Sequence, residues 1–275
     1  MLPLWRDRLR IALSPECVAL LRTGPGRRAA VKNKHLLACR PEGDAPGWQA
    51  TLQALSAELK NPGWHPCAAT VVLSNHFVRY LVIPWNEQVT SDVEHDAFVR
   101  HHFATVYGDV VADWEFRVSE SGVGEPQLAS AVDRALIGRL REVCAENKLA
   151  LISVQPYLMA ALNEWRRQIE GDSAWFLLAE PGRMCLALLK GNTWQCVHAR
   201  RSAGALQDDV ENCLNQELLM REASLTQSPV YCWAPAHADL AARLGSRRTL
   251  HALALRARSG FALENGPAYA MALCG

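Results

Sequence analysis

The stretch AWFLLAEPGRMCLALLKGNTW, Ala174–Trp194, decides how the chain is read. An apolar run from Trp175 to Ala179 meets Glu180-Pro181-Gly182. A second run, Met184 to Leu189, meets Lys190-Gly191-Asn192. Short apolar runs broken by Pro- and Gly-containing turns predict strand, turn, strand, turn, strand. The first turn carries one carboxylate and one glycine. Those are the least a turn needs to hold a metal-bound phosphate, which requires anionic oxygen for the ion and close backbone approach for the phosphate.

The pattern has an upstream counterpart. Leu9–Leu13 alternates as a strand, Ser14-Pro15-Glu16 turns, and Cys17–Arg22 returns. Gly24-Pro25-Gly26 turns again, and Ala29–Ala38 reads as a third strand. A helix follows, with Trp48, Leu52, Leu55 and Leu59 on one face, stopped by Asn61-Pro62-Gly63. Strands are expected at Thr70–Leu73 and Phe77–Ile83. Ser91-Asp92-Val93-Glu94 has the form of a capping box opening a helix to about Val106. Strands at Trp114–Ser119 and Leu128–Val132 come next. Asp133 caps a helix burying Leu136, Leu140, Val143 and Cys144. A strand at Leu149–Val154 precedes a helix from Pro156 that buries Leu158, Leu162 and Trp165. Glu170-Gly171-Asp172-Ser173 is the expected boundary.

Beyond the opening stretch, Thr193–Ala199 is its third strand. A helix at Asp208–Glu222 turns Val210, Cys213, Leu214 and Leu218 inward. Val230–Trp233 is a strand, Ala236–Leu244 a short helix, and Gly266–Gly275 a final small-residue helix. Each half thus opens with three strands joined by tight turns and then mixes helices with strands, an internal duplication at the level of architecture.

Composition narrows the function classes. The chain has 275 residues, 49% of them apolar, enough for one large domain or two intimate ones. A net charge of +1 predicts no wholesale nucleic-acid or membrane-surface binding. No apolar run approaches the ~20 residues of a membrane span, and no apolar core follows the charged N-terminus as in a secretory signal. The nine cysteines include no C-x-x-C pair, which suits buried thiols in a reducing cytosol. Cys17, Cys185 and Cys196 lie in apolar strands and read as core.

The duplicated β-β-β-α-β-α-β-α layout resembles that of the actin-like ATPase superfamily. Within it, VVLSNHFVRYLVIPW (Val71–Trp85), LASAVDRALIGRLREVCAENKLALISVQPYLMAAL (Leu128–Leu162) and AYAMALCG (Ala268–Gly275) resemble the PilM family of the type IV pilus inner-membrane platform. They are also similar to the cytoplasmic part of the type II secretion L protein. The resemblance implies an α/β, actin-like (ASKHA), two-lobed duplicated fold. Lobe 1 would be residues 1–170, with a small inserted subdomain at about 86–127, and lobe 2 residues 171–275.

It also implies three nucleotide-binding turns. The first would carry Asp and Gly, but this chain has Leu13-Ser14-Pro15-Glu16, and Pro15 has no N–H to offer. The second, Asp-x-Gly in the superfamily, is Glu180-Pro181-Gly182, so Glu180 and Gly182 are its cofactor-binding residues in vestigial form. The third, an adenosine turn of the Gly-Gly type, is Ala234-Pro235-Ala236. The expectation is a pseudo-ATPase with no catalytic residue, no metal and no ATP cofactor. The alternative is an active ATPase or small-molecule kinase that uses Glu180 for Mg-ATP.

Other constellations have plainer readings. Glu94, His95, Asp96, His101 and His102 share one helix, but no two of the histidines have the i, i+4 spacing of a zinc helix, so a solvated face is expected. Asp133, at a strand-to-helix junction, reads as a cap rather than a base. Arg27-Arg28, Arg200-Arg201 and Arg247-Arg248 read as surface pairs. Trp85 and Trp114 flank the insertion as candidate anchors for a partner peptide, with core packing as the alternative. The resemblance supplies that partner: the N-terminal cytoplasmic peptide of a membrane-anchored, PilN-like platform protein, docked in a groove between lobe 1 and its insertion. The chain would be a cytoplasmic scaffold, peripheral to the inner membrane through that partner, with no membrane span of its own and no nucleic acid bound. A homo-oligomer is compatible with that role.

Overall fold

In the computed structural model the apolar runs become strands covered on both faces. Residues 7–26, 30–40, 45–64, 68–191, 193–202, 204–220, 228–237, 239–244, 249–255, 261 and 266–274 are described. The expected pairs Arg27-Arg28 and Arg247-Arg248, the turn residue Asn192 and the helix end at Glu222 lie outside them.

The chain divides into two compact units. The first comprises Met1–Val78, Asp133–Glu164 and Leu255–Gly275. Its sheet is built from β1 (Arg8–Leu13), β2 (Cys17–Thr23), β3 (Val31–Ala38), β4 (Ala68–Leu73) and β8 (Ala150–Pro156), in the order β3-β2-β1-β4-β8. β1 pairs antiparallel with β2, and β2 with β3, while β4 joins β1 in parallel and β8 joins β4 in parallel. Parallel neighbours need crossovers, and helices supply them. Helix α1 (Trp48–Glu58) buries Thr51, Leu52 and Leu55, and Leu59 at its C-cap is fully buried. Helix α3 (Arg134–Glu146) packs against α1 and buries the four residues its periodicity marks, Leu136, Leu140, Val143 and Cys144. Helix α4 (Tyr157–Trp165) follows β8, and buried Asn75 accepts from its Leu158 N–H at 3.2 Å, capping the first turn from a distance.

The second unit comprises Arg79–Val132 and Trp165–Ala254. Its main sheet uses β9 (Ser173–Glu180), β10 (Arg183–Lys190), β11 (Thr193–Arg201), β12 (Val230–Trp233) and β13 (Leu250–Ala252), in the order β11-β10-β9-β12-β13. Here too, two antiparallel pairs are followed by two parallel ones. The order and direction of the five strands repeat those of the first sheet strand for strand, so the duplication seen in the sequence is a duplication of topology. Trp175, Leu177, Met184 and Leu186 pack with Val210, Cys213 and Leu214 of α5 (Leu206–Met220) and with Leu240 and Leu244 of α6 (Leu240–Leu244).

A three-stranded sheet, β5-β7-β6, completes this unit: β5 (Val78–Ile83), β6 (Trp114–Val118) and β7 (Gln127–Asp133). Helix α2 (Asp92–Tyr107) opens with the full capping box between Ser91 and Glu94. Val99 and Phe103 of α2 pack with Ile83, Val111, Ala129 and Ala131.

The packing groups the chain differently from a division at residue 170/171. The final helix α7 (Gly266–Cys274) lies against β1 and β2, where Tyr269, Ala272 and Leu273 share a core with Ala12, Ala19, Leu21 and Phe261. The insertion, expected at about 86–127, also takes in its flanking strands β5 and β7, because its sheet cannot form without them. The expected helix at Ala236–Leu244 starts at Leu240, since Ala234–His237 forms a turn closed by His237 N–H on Ala234 O at 2.9 Å. Strand β13 has no counterpart in the sequence reading; three residues are too few to show alternation.

Candidate functional site

The three turns differ in what their backbone can offer a ligand. At the first, Ser14 closes the loop on itself. Its N–H donates to Cys17 O at 3.0 Å, its Oγ donates to the same oxygen at 3.1 Å, and the Cys17 N–H donates to Ser14 Oγ at 3.1 Å. Pro15 has no N–H. Ser14 O accepts from Thr51 Oγ1 at 3.0 Å, and Glu16 O accepts from Cys39 N–H at 2.7 Å. The donors a phosphate would need at Ser14 and Cys17 are engaged within the loop.

At the second turn, Glu180 ends β9 and Arg183 begins β10, with only Pro181 and Gly182 between them. Pro at the first central position and a Gly with φ of +68° at the second are the signature of a type II turn. Gly182 is there for the backbone: a side chain at that φ is strained. Its carbonyl accepts from Ser202 N–H at 3.0 Å.

The register puts Arg183 opposite Glu180 on one side and opposite Arg201 on the other. Residues directly opposite share a face of the sheet, so these three form one row. Glu180 and Arg183 are both buried. Arg183 Nε finds no hydrogen-bond partner among the described residues. Arg79 lies close by: burial pushes its guanidinium below its ordinary value, and the charges of Arg183 and Arg201 push it further, against the opposing effect of Tyr107. The fully buried Cys185 thiol, two residues along from Arg183, is pushed up by burial and then by the Glu180 charge. Arg183 therefore stands between the Glu180 carboxylate and Arg201, with Arg79 near the two arginines.

The third turn, Ala234–His237, is closed by its own hydrogen bond and follows the buried Trp233.

Glu94 Oε2 accepts from Thr90 N–H, Thr90 Oγ1 and Ser91 N–H at 3.0–3.1 Å, and these bonds hold its carboxyl below the usual range. His95 Nε2 bonds Gln127 Oε1 at 2.7 Å, and the His102 ring meets Phe98 edge-on at 4.5 Å. The polar residues of α2 are thus drawn to separate neighbours. Asp133 accepts from Ala135 N–H at 2.8 Å, as a cap, and also from Trp48 Nε1 at 3.1 Å. Trp85 is 43% exposed just beyond β5. Trp114 packs into the insertion core, its ring 5.2 Å from Tyr107 and 6.3 Å from Phe103. Of the three cysteines read as core, Cys185 and Cys196 are buried and Cys17 is half-buried. The arginine row escaped sequence reading. Its signals were Arg183 directly after the turn and the Arg200-Arg201 pair at the end of β11, and only the strand register brings them together.

No protein-family model matches the chain, and no curated protein does. Solved structures do. The PilM–PilN type IV pilus biogenesis complex superposes with a TM-score of 0.69 at 18% identity, covering 98% of this chain and 97% of that one. The cytoplasmic domain of EpsL, an inner-membrane component of the Vibrio cholerae type II secretion system, superposes at 0.58 with 12% identity, covering 98% and 95%. A Bacteroides thetaiotaomicron protein of actin-like ATPase fold and unknown function superposes at 0.57 with 7% identity, covering 90% and 91%. The chain therefore has the actin-like ATPase fold, and in that fold it is similar to PilM and to the cytoplasmic domain of EpsL over nearly its whole length.

Proposed function

We propose that the chain is a cytoplasmic scaffold of a type IV pilus or type II secretion-like assembly platform. In this reading it is a pseudo-ATPase that binds the cytoplasmic N-terminal peptide of a membrane-anchored, PilN-like protein. The observation that carries the loss of nucleotide chemistry is the first turn, which lacks Asp and Gly and whose Ser14 and Cys17 N–H groups are engaged within the loop. Phosphoryl transfer depends almost wholly on positioned metal and donors. The second turn does not replace them, because the Arg183 cation opposite Glu180, backed by Arg201 in the same row, disfavours a dication there. The residues present do not fit Mg-ATP.

The partner half of the proposal draws on the likeness to a PilM–PilN complex over nearly full length. Among the described residues no helix is long and apolar enough to cross a membrane. Such a peptide folds as it binds, and a few apolar anchors carry its affinity. Trp85, half exposed on the second unit, is the anchor we assign on this chain. The function is then positional: to hold a membrane component and pass on movement of the assembly motor.

Two titrations test this. Calorimetry with Mg-ATP is expected to give no saturable heat. Submicromolar binding lost in Glu180→Ala overturns the pseudo-ATPase reading in favour of an ATPase or small-molecule kinase. Cytoplasmic peptides of single-span proteins encoded beside this chain are expected to bind, about tenfold or more weakly to Trp85→Ala. Failure of every such peptide overturns the scaffold.

A further inference from the structure

We infer that Cys196, His198 and Glu217 form a binding site for a zinc-like transition-metal ion between β11 and α5. The site is separate from the turns above and does not rest on the proposed function. Cys196 and His198 are two apart on β11, so both project from the same face. Their register partners are Leu188 and Leu186, which places them on the face that α5 covers. On α5 the buried stripe runs Val210, Cys213, Leu214, and its next position is Glu217. An apolar residue is expected there. Instead a carboxylate only 6% exposed is turned toward a thiol and an imidazole.

The geometry is close to that of a metal centre. One ligand atom from each of the three residues lies within 4.8 Å of the other two. Cys196 Sγ is 3.6 Å from Glu217 Oε2, and His198 Nε2 is 2.7 Å from Glu217 Oε1. Ordinary zinc–sulfur and zinc–oxygen lengths around a tetrahedral ion put sulfur and oxygen about 3.6 Å apart, and nitrogen and oxygen about 3.4 Å apart. The sulfur–oxygen distance is already met, through Oε2, whereas His198 bonds the other oxygen, Oε1. Binding through Oε2 therefore requires the carboxylate to turn and the His198–Glu217 hydrogen bond to open, and that bond keeps the pair together in the metal-free chain.

Charge favours occupancy. Thiolate, carboxylate and a divalent cation sum to zero, which a buried site tolerates. Binding releases the Cys196 proton to solvent as the sulfur–metal bond forms, and involves no redox change. Thiolate with imidazole selects zinc or cobalt over magnesium or calcium. The His198 side chain, 22% exposed, marks the route in and leaves the fourth position to water.

The test uses the full chain, freed of metal with a chelator under reducing conditions and titrated with Co2+. One equivalent is expected to produce a thiolate-to-cobalt charge-transfer band with tetrahedral ligand-field bands, displaced by Zn2+. Cys196→Ser should abolish the charge-transfer band. Glu217→Gln, which keeps an acceptor for His198, should weaken Zn2+ binding by at least tenfold. Because other thiols are present, Cys17→Ser serves as a control and should leave the spectrum unchanged. The site is overturned if no charge-transfer band forms, or if it forms and survives Cys196→Ser. If Glu217→Gln fails to fold by circular dichroism, the near-isosteric Cys196→Ser decides alone.

Discussion

At the scale of the residue, the carboxylate of Asp133 ties two helices together. It caps α3 through Ala135 N–H and reaches the indole N–H of Trp48 at the start of α1. Asp133→Ala removes both acceptors. It should lower the stability of the first unit by about 1–2 kcal/mol, the upper range for a lost cap. The urea midpoint should fall with an unchanged slope, and Trp48 emission should shift as its N–H finds water. The cap was legible in the sequence because it is local: an Asp between a strand and an apolar-periodic run. The bond to Trp48 was not, because it spans 85 residues and depends on how α1 and α3 pack. The same difference separates Glu94 from the arginine row. Glu94 caps its own helix three residues away, whereas Arg79, Arg183 and Arg201 meet only through tertiary structure.

At the scale of the element, the hairpin β9–β10 is specified twice, by its apolar runs and by its turn. Strands buried on both faces read as continuous runs rather than alternation, which is why Trp175–Ala179 and Met184–Leu189 stood out. Pro181 presets the first central φ and Gly182 supplies the positive one at the second. Gly182→Ala forces a side chain into that region and should cost about 1–2 kcal/mol, seen as a lower melting temperature with the fold retained. Residue type alone did not reveal that Ser14 would close the other hairpin with its own hydroxyl. Short elements were the least legible. β13 has three residues, and the start of α6 shifted because Ala234-Pro235-Ala236-His237 makes a turn instead of a first helical turn.

At the scale of the whole molecule, the order of elements was legible and their grouping was not. Repetition of three strands, then helices and strands, follows from local pattern. Where the last helix docks does not: α7 is small and apolar throughout, so its sequence names no particular face. The structure places it on β1 and β2. Deleting residues 255–275 uncovers Ala12, Ala19 and Leu21. Hydrogen exchange should then show lost protection in β1 and β2 while β9 and β10 keep theirs. Equal loss in both sheets would mean that the two units do not fold separately.

The position of α7 also sets an order in time. Protein chains leave the ribosome N-terminus first, and domains generally fold as they emerge. The second unit is complete once residue 254 has been made, but the first, begun earliest, lacks its closing helix until residue 274 has been made. The newborn chain must therefore carry a half-covered sheet of Ala12, Ala19 and Leu21 from the synthesis of β2 to that of α7. That sheet is the surface a chaperone would be expected to hold, and its release is timed by the synthesis of α7.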